Sequence, residues 1–474
     1  MRKYDVSEMV AHVFLWKNPP ALEDAWRAAA RGKRYFFFLD SVHAAGGGRW
    51  SYFSLSEPGK VFSSRGKTVT IESAGRRRKI IKDSSPLLEL KKLFPKLESC
   101  MAAVPFCGGG VGYFSYDFGR NFEVLPSKAR EDVRVPESML MFCNDFCAYD
   151  LSNNNAYVVI MGGKHDRALC GAKAAEYIKQ LIASPMPPAD GNMRSGRISS
   201  RTDRIDFEKA VRRAKKYISN GDIYQANLAQ RFACDYPGDT TALYRRLRKL
   251  NPSPYSAYIR VPELTIISCS PELLLRKRGL LVETRPIAGT RRRGKDAPDD
   301  HRLSSDLLLD PKERAEHIML VDLERNDLGR VCAPKSVKVN EKMVIEKYSH
   351  VIHIVSNVRG VLQKEKDFFD AFRAVFPGGT ITGCPKIRSM EIIDELEPVR
   401  RGPYCGSAGW IGYNGDADLN ILIRSIVALP RRGKNWRLYF SAGAGIVADS
   451  NPSREYRETL HKANALFAAI KNVK

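Results

Sequence analysis

Apolar and polar positions follow two different rhythms along this chain. Before residue 184, short aromatic and β-branched runs at 35–39, 50–54, 68–71 and 156–160 predict strands. After residue 204 a period near 3.6 appears. Phe207, Val211, Ala214 and Ile218 predict a helix over 205–218 that stops at Asn220-Gly221. A second helix is expected from Asp310-Pro311, with aspartate as N-cap, proline in the first position and Glu313 completing a capping box. A third starts at Pro385 and carries Ile387, Met390, Ile393 and Leu396 on one side. The last starts at Asn451-Pro452 with a stripe of Tyr456, Leu460, Ala463, Phe467 and Ile470. Strands are predicted between them at 258–261, 264–269, 280–284, 419–429 and 436–441, and Asn414-Gly415 marks a hairpin turn. The segment 184–204 is rich in Pro, Gly, Ser and Arg and reads as a linker or surface loop between parts 1–183 and 205–474. There is no internal repeat, and the mixture is α+β rather than regular βαβ alternation.

Composition narrows the class. The chain has 474 residues, 43% hydrophobic and 27% charged, which is globular and not disordered. No run is long and apolar enough to span a membrane, and the first twenty residues lack a secretory pattern, so a cytoplasmic protein is expected. The ten cysteines contain no C-x-x-C pair and read as buried free thiols rather than metal ligands. The net charge of +24 is the unusual feature. Basic runs lie at 76–79, 245–249 and 291–295, and nucleic-acid binding is one account of them. No helix-turn-helix, zinc finger or aromatic-studded basic strand accompanies them. A basic surface that attracts an anionic substrate or an acidic partner is the favoured account, with no nucleic acid and no membrane as partner.

Two constellations carry candidate chemistry. Glu313 and Glu316 share a face of one helix, and Glu455 and Glu458 share a face of the last. Two such faces meeting would offer the oxygen ligands that magnesium prefers. Singly, each pair is structural by default, with Glu313 as a capping partner and Glu458 paired to Lys462. The second constellation is Arg424 within the apolar run 419–429, where a charge needs a partner: an internal carboxylate and a substrate carboxylate are equally good accounts. Gly443 and Gly445 would let backbone N–H groups approach an anion, and a tight bend explains them equally. The glycines at 108–112 lack the lysine and hydroxyl of a P-loop, and Asp117-Phe118-Gly119 lacks the other kinase signatures.

The strings GDIYQANLAQRF, SCSPELLL, TRPIAGTRRRG, KERAEHIMLVDLERNDLGRVC, YSHVIHIVSNVRG, FPGGTITGCPKIRSMEIIDELEP, RRGPYCGSAGWIGYNGD and AGAGIVADSNPSREYRETLHKA occur in this order. In that set the stretch 205–474 closely resembles the chorismate-binding enzymes, and 1–183 more loosely resembles the N-terminal region of their large subunits. The resemblance implies a large sandwich of two antiparallel sheets with helices outside, of the anthranilate synthase component I type. It implies Mg2+ held directly by Glu316 and Glu458, with Glu313 and Glu455 in support. Arg424, Tyr404 and Lys462 would anchor carboxylate beside the backbone of Gly443 and Gly445. Glu272 would be the general acid that protonates the departing 4-hydroxyl, and His353 and Thr380 would line the reacting side of the ring. Gln225 stands where water-activating relatives carry lysine, which implies ammonia as the nucleophile. The strings IYQANLAQRF, DLERNDLGR, ADLNILIRS and ETLHKA, with Phe38-Leu39-Asp40-Ser41, resemble the branch that aminates ring carbon 4 for folate, the aminodeoxychorismate synthases. Ala288 departs from that branch, where a lysine nucleophile is frequent, and with Thr380 resembles the branch that aminates carbon 2 for tryptophan, the anthranilate synthases. No glutaminase element is visible, so a separate glutamine amidotransferase subunit is expected to supply ammonia.

Overall fold

Three consecutive phenylalanines show how the strands are used. Phe36 and Phe38 pack on Trp26 of the helix Leu22–Ala30, while Phe37 points to the opposite side, into the layer between two sheets. All three are fully buried, so this strand has no solvent face. The computed structural model describes residues 9–42, 49–75, 78–94, 104–184, 195–348 and 351–471.

Among these residues the chain forms two antiparallel sheets. The first runs, in spatial order, Met9–Trp16, Asn155–Gly163, Asp145–Asp150, Trp50–Ser54, Phe36–Asp40, Tyr255–Val261, Leu264–Ser270, Ser425–Pro430, Trp436–Ile446, Gln225–Tyr236 and Ser199–Ser200, with Gly383–Cys384 also on Gln225–Tyr236. The second runs Ile287–Arg292, Val351–Val361, Leu281–Arg285, Leu273–Arg278, Ala417–Asn420, Ser407–Gly412, Gly109–Phe114, Ser138–Cys143, Lys60–Arg65, Thr68–Ser73 and Lys79–Ile81, with Lys338–Lys347 also on Val351–Val361. Phe37, Tyr52 and Ile266 of the first meet Val111, Met141 and Trp410 of the second in a shared core. The outer face of the first sheet is covered by helices including Thr240–Leu250 and Pro452–Lys471, and that of the second by Phe368–Val375 and Pro311–Gly329. This is the expected sandwich with helices outside.

The portions before and after the 184–204 segment share both sheets, since Phe36–Asp40 pairs with Tyr255–Val261 and Gly109–Phe114 with Ser407–Gly412. Residues 185–194 of that segment lie outside the described residues, and its end pairs through Ser199 and Ser200 with Ala233 and Phe232.

Four local expectations are corrected. The run 419–429 is not one strand: Ala417–Asn420 belongs to the second sheet and Ser425–Pro430 to the first. The strand at 436–441 continues to Ile446, so the two glycines lie inside it. The capping box at Asp310 is half formed. Asp310 accepts from the N–H groups of Lys312 and Glu313, but the Glu313 carboxylate binds Arg291. The last helix buries Ala463 and Ile470 of the expected stripe together with Glu455, Thr459, Leu466 and Ala469, while Tyr456, Leu460 and Phe467 flank that face half-exposed.

The basic runs are tied down. Arg245 binds Glu23 (2.5 Å), Arg248 binds Asp40 (2.5 Å), and Arg291, Arg292 and Arg293 bind Glu313 (3.0 Å), Asp299 (3.2 Å) and Asp300 (2.8 Å). Arg76 and Arg77 lie outside the described residues. The described cysteines are free, and all but Cys384 are buried; Cys100 is not among them. No helix among the described residues is long and apolar enough to cross a membrane.

Candidate active site

The site forms where the chain changes sheets twice, side by side. Leu264–Ser270 ends in the first sheet and Leu273–Arg278 begins in the second, with Glu272 at the crossing. Ala417–Asn420 leaves the second sheet and Ser425–Pro430 enters the first, with Arg424 at that crossing. The Ile421 N–H donates to the Glu272 carbonyl (3.0 Å) and the Cys269 N–H to the Arg424 carbonyl (3.2 Å), locking the crossings together. Arg424 has φ +50°, a left-handed conformation that turns its strand out of line and that a side chain of this size adopts only under local constraint.

Arg424 donates from Nη1 to Asn251 Oδ1 (2.8 Å), and among the described residues it has no carboxylate partner within ion-pair distance. Burial pulls its pKa below the usual arginine value, although the side chain keeps some contact with the cleft. The internal ion pair weighed from the sequence is therefore not formed. Glu272 lies beside it, 4% exposed, and accepts from the Ile287 N–H (3.4 Å). Burial pushes its carboxyl up to about 7, opposed by the Thr380 hydroxyl, the Ile287 N–H, Arg424 and Lys462. The Thr380 hydroxyl is buried and makes no hydrogen bond.

His353 approaches from Val351–Val361. Its Nδ1 lies 3.1 Å from the Gly289 carbonyl and 3.0 Å from the Thr290 hydroxyl. The carbonyl can only accept, so Nδ1 carries the proton and Nε2 holds a lone pair. Nε2 is buried with no partner. Burial, then the Arg424 charge, pulls the imidazole down to about 3, so it is neutral at any working pH. A register shift between Ala288 and Thr290 delivers that carbonyl: Gly289 sits there at φ +67°, with Leu307 and Glu313 too close for a side chain. Ala288 is thus on the strand that also supplies the Ile287 N–H.

The opposite wall is built on two missing side chains. A Cβ on Gly443 would collide with the Asn227 side chain and lie 3.1 Å from the Tyr404 hydroxyl, and one on Gly445 would collide with the Gln225 amide. Lys462 Nζ donates to the Gly443 carbonyl (3.2 Å). Ser425–Pro430 pairs with Trp436–Ile446 only as far as Phe440, so one edge of 441–446 is left open. Tyr404, Lys462, Gln225, Gly443 and Gly445 are thereby brought together, as the sequence implied. Asn227 was missed, although it lies two residues after Gln225 on the same strand face, and that period was the available signal. Gln225 Oε1 and Asn227 Oδ1 are buried without partners.

Arg401 holds these pieces in place and was also missed. It binds the Glu397 carboxylate (2.7 Å) and donates to the carbonyls of Ile381 (2.7 Å) and Asn227 (2.6 Å), with its guanidinium 4.7 Å from the Tyr116 ring and 5.9 Å from that of Tyr404. A Glu four residues before an Arg was the sequence signal.

The four glutamates gather near the starts of their two helices. Burial raises the pKa of Glu316, and the charges of Glu313, Glu458 and Glu455 raise it further. Burial raises that of Glu455 as well. Each pair retains its local contacts: Glu313 binds Arg291, and Glu458 binds Lys462 at 2.7 Å. Among the described residues no three acidic, His or Cys side chains close to metal-ligating distance. The donor chemistry, four carboxylates near two helix starts with Glu316 and Glu455 held above the usual carboxylate range, nevertheless fits a hard divalent cation, which would relieve the repulsion at Glu316.

Comparison with known proteins gives a consistent set of matches. The family model described as chorismate binding enzyme matches residues 50–468. Aminodeoxychorismate synthase component 1 of Bacillus subtilis (strain 168) is 41% identical over 93% of this chain and 93% of its own. Anthranilate synthase component 1 of Thermus thermophilus is 43% identical over 92% of each. The crystal structure of anthranilate synthase component I from Streptococcus pneumoniae TIGR4 superposes with a TM-score of 0.78 at 31% identity, covering 90% of this chain and 93% of that one.

Proposed function

The chain belongs to the chorismate-binding enzymes, and within that family we propose that it aminates chorismate at ring carbon 4, as the synthase subunit of an aminodeoxychorismate synthase. The observation that carries the chorismate reading is the trio of Arg424 without a carboxylate partner, Glu272 poised to hold a proton near neutral pH, and neutral His353 with a bare Nε2. Arg424, Tyr404 and Lys462 hold a substrate carboxylate, with the open edge at Gly443 and Gly445 beside it. Magnesium, bound through Glu316 and Glu458 with Glu313 and Glu455 in support, would fix the ring carboxylate and draw electron density from the ring. Glu272 gives its proton to the departing 4-hydroxyl, which leaves as water. His353 accepts a hydrogen bond from the substrate through Nε2, and Thr380 closes the pocket next to Glu272. Gln225 is neutral and leaves water unactivated, so ammonia is the nucleophile. Ammonia comes from a separate glutamine amidotransferase subunit, a pairing that the component 1 names of the relatives support. Free thiols throughout the described cysteines agree with a reducing, cytoplasmic setting.

The choice of carbon 4 rests on the strings IYQANLAQRF, DLERNDLGR, ADLNILIRS and ETLHKA together with the element at Asp40. Anthranilate synthases usually carry a Leu-Leu-Glu-Ser element of the tryptophan feedback site where this chain has Phe38-Leu39-Asp40-Ser41. Here the Asp40 carboxylate is taken up by Arg248 (2.5 Å), the Tyr244 hydroxyl (2.9 Å) and the Ser51 hydroxyl (3.2 Å). Ala288 favours the second reading, amination at carbon 2 with loss of pyruvate. On the carbon 4 route it leaves water or ammonia to act where a lysine would add transiently. Product analysis separates them. Protein with chorismate, magnesium and ammonium salt should yield para-aminobenzoate only when aminodeoxychorismate lyase is added. Anthranilate appearing without the lyase would establish the second reading instead.

A further inference from the structure

A cavity of about 750 Å³ lies behind the wall that carries Gln225, and Tyr224, Leu323 and Cys384 are among its lining residues. Tyr224 precedes Gln225, its N–H donates to the Cys384 carbonyl (2.7 Å), and Cys384 pairs in register with Gln225. Leu323 packs so closely on Gly379 that a Cβ there would lie 2.6 Å from it, and Thr380 follows Gly379. The cavity and the substrate pocket thus share a wall, made by residues 224–225, 379–380 and 384. Met319, Phe376 and Met390 make the cavity largely apolar, yet three apolar side chains of its lining stand out to solvent: Tyr224 (69% exposed), Ile387 (44%) and Ile318 (42%). An exposed apolar patch of this kind, rimmed by charge, has the anatomy of an interface. The rim gives the sign of what covers it. Asp327 is paired with Lys386 (2.5 Å) and Asp322 with Arg325 (2.7 Å). Arg330 and Arg373 are exposed with no carboxylate in ion-pair distance among the described residues, against one lining carboxylate, Glu123, without a basic partner. Arg245, Arg248, Arg291, Arg292 and Arg293 of the basic runs are taken up internally, so the surplus positive charge available to an acidic partner includes this rim. An apolar lining also suits a particular cargo, because it penalises ammonium and admits neutral ammonia, the form that attacks.

We propose that the glutamine amidotransferase subunit docks over this cavity, seating an apolar side chain among Tyr224, Ile318 and Ile387 and acidic ones at Arg330 and Arg373. The inference rests on ammonia reaching the chain from such a subunit. Docked there, the subunit closes the cavity and releases ammonia against the shared wall, next to Gln225.

The test uses the full chain and the amidotransferase subunit of its own genome, with the Kd between them measured by calorimetry. Glutamine-dependent turnover reads the docked complex, and ammonium-dependent turnover of the chain alone reads the synthase site. Ile387→Glu should raise Kd by roughly 30-fold or more, as for an anchor at the centre of an interface. Arg330→Glu should raise it by roughly three- to tenfold and weaken the salt dependence of association. Glutamine-dependent turnover should fall in both at subunit concentrations near the parent Kd, while the ammonium-dependent rate stays within about twofold of the parent. Leu169→Glu, which charges an apolar residue 70% exposed on the helix Arg167–Ala183, should leave Kd and both rates as they are. A parent-like Kd in Ile387→Glu overturns the proposal, and so does an equal loss of binding in Leu169→Glu. If Ile387→Glu also loses its ammonium-dependent rate, Arg330→Glu decides alone, and a parent-like Kd there overturns the proposal. If the parent itself binds no such subunit and never uses glutamine, the amidotransferase reading fails instead.

Discussion

Replacing Arg424 with methionine separates a substrate clamp from a structural charge. In the folded protein the guanidinium is desolvated, and its side-chain partner is one neutral amide, Asn251 Oδ1 at 2.8 Å. Losing that bond costs about 1.5–3 kcal/mol, as expected for a hydrogen bond to a charged group. Removing an uncompensated buried charge returns a similar amount, and methionine meets the same positive φ as arginine. The fold should thus change by no more than about 1 kcal/mol, a melting shift of roughly 2–4 °C or less. Binding behaves differently. Two charge-assisted bonds to a carboxylate are lost, together worth about 3 kcal/mol, or roughly a 100-fold rise in KM for chorismate. Thermal unfolding by circular dichroism and initial rates of chorismate consumption measure the two effects on the same preparation. A loss of about 3 kcal/mol or more in stability with KM unchanged would refute the argument, because it would mean that Arg424 serves the corner of the sheets and not a ligand.

Four further outcomes are expected. Turnover should fall as pH rises through about 7, where Glu272 gives up its proton, and Glu272→Gln should reduce kcat by roughly 10²- to 10⁴-fold with little change in KM, both read from pH–rate profiles. Arg401→Met breaks an ion pair whose side chains are 2% and 7% exposed, so urea unfolding should show a loss of about 3–5 kcal/mol. Burial depresses His353 from 6.5 to about 3, so the unfolded chain takes up a proton that the native state refuses. Stability should drop by about 1.4 kcal/mol for each pH unit from 6.5 downward, and unfolding curves of His353→Gln should lack that increment. Magnesium should raise the melting temperature of the parent, and Glu316→Gln should abolish that rise in a thermal-shift titration without any substrate.

Much of the architecture was legible because local chemistry agrees with it. The Asp310 cap marks a helix start, Asn414-Gly415 turns a hairpin between Ser407–Gly412 and Ala417–Asn420, and the aromatic runs are strands. The crossing at 421–424 was hidden by burial. Both strands around it are largely covered on both faces, so apolar residues continue on either side of Arg424 and Ser425 and give no alternation whose change would mark the crossing. The last helix misled for the opposite reason. Glu455 and Thr459 are polar yet face inward, so Ala463 and Ile470 of the predicted stripe lie on the buried face while Tyr456, Leu460 and Phe467 lie beside it. Arg401 stands in a string dense with charge, and only tertiary packing buries it. The pairing of the basic runs was not legible, because the carboxylates that hold them, from Glu23 to Asp300, lie far along the chain or across a turn.

Where the fold leaves hydrogen bonds unmade also bears on the ligand. Gln225 Oε1, Asn227 Oδ1 and His353 Nε2 are buried acceptors without partners, each costing about 1–3 kcal/mol if left that way. They surround Arg424 and Lys462, two cationic donors, one of which lacks a carboxylate and the other of which is shared between Glu458 and a backbone carbonyl. A ligand that satisfies this set needs anionic oxygens for the donors and hydroxyl or amine hydrogens for the acceptors. A nucleic-acid backbone supplies only the first, and Arg245, Arg248, Arg291, Arg292 and Arg293 of the basic runs are already paired with carboxylates. A small dicarboxylate bearing a hydroxyl, attacked by ammonia, supplies both. The unmet groups of the cleft call for a ligand of that kind, and their cost to stability is offset only when such a ligand is bound.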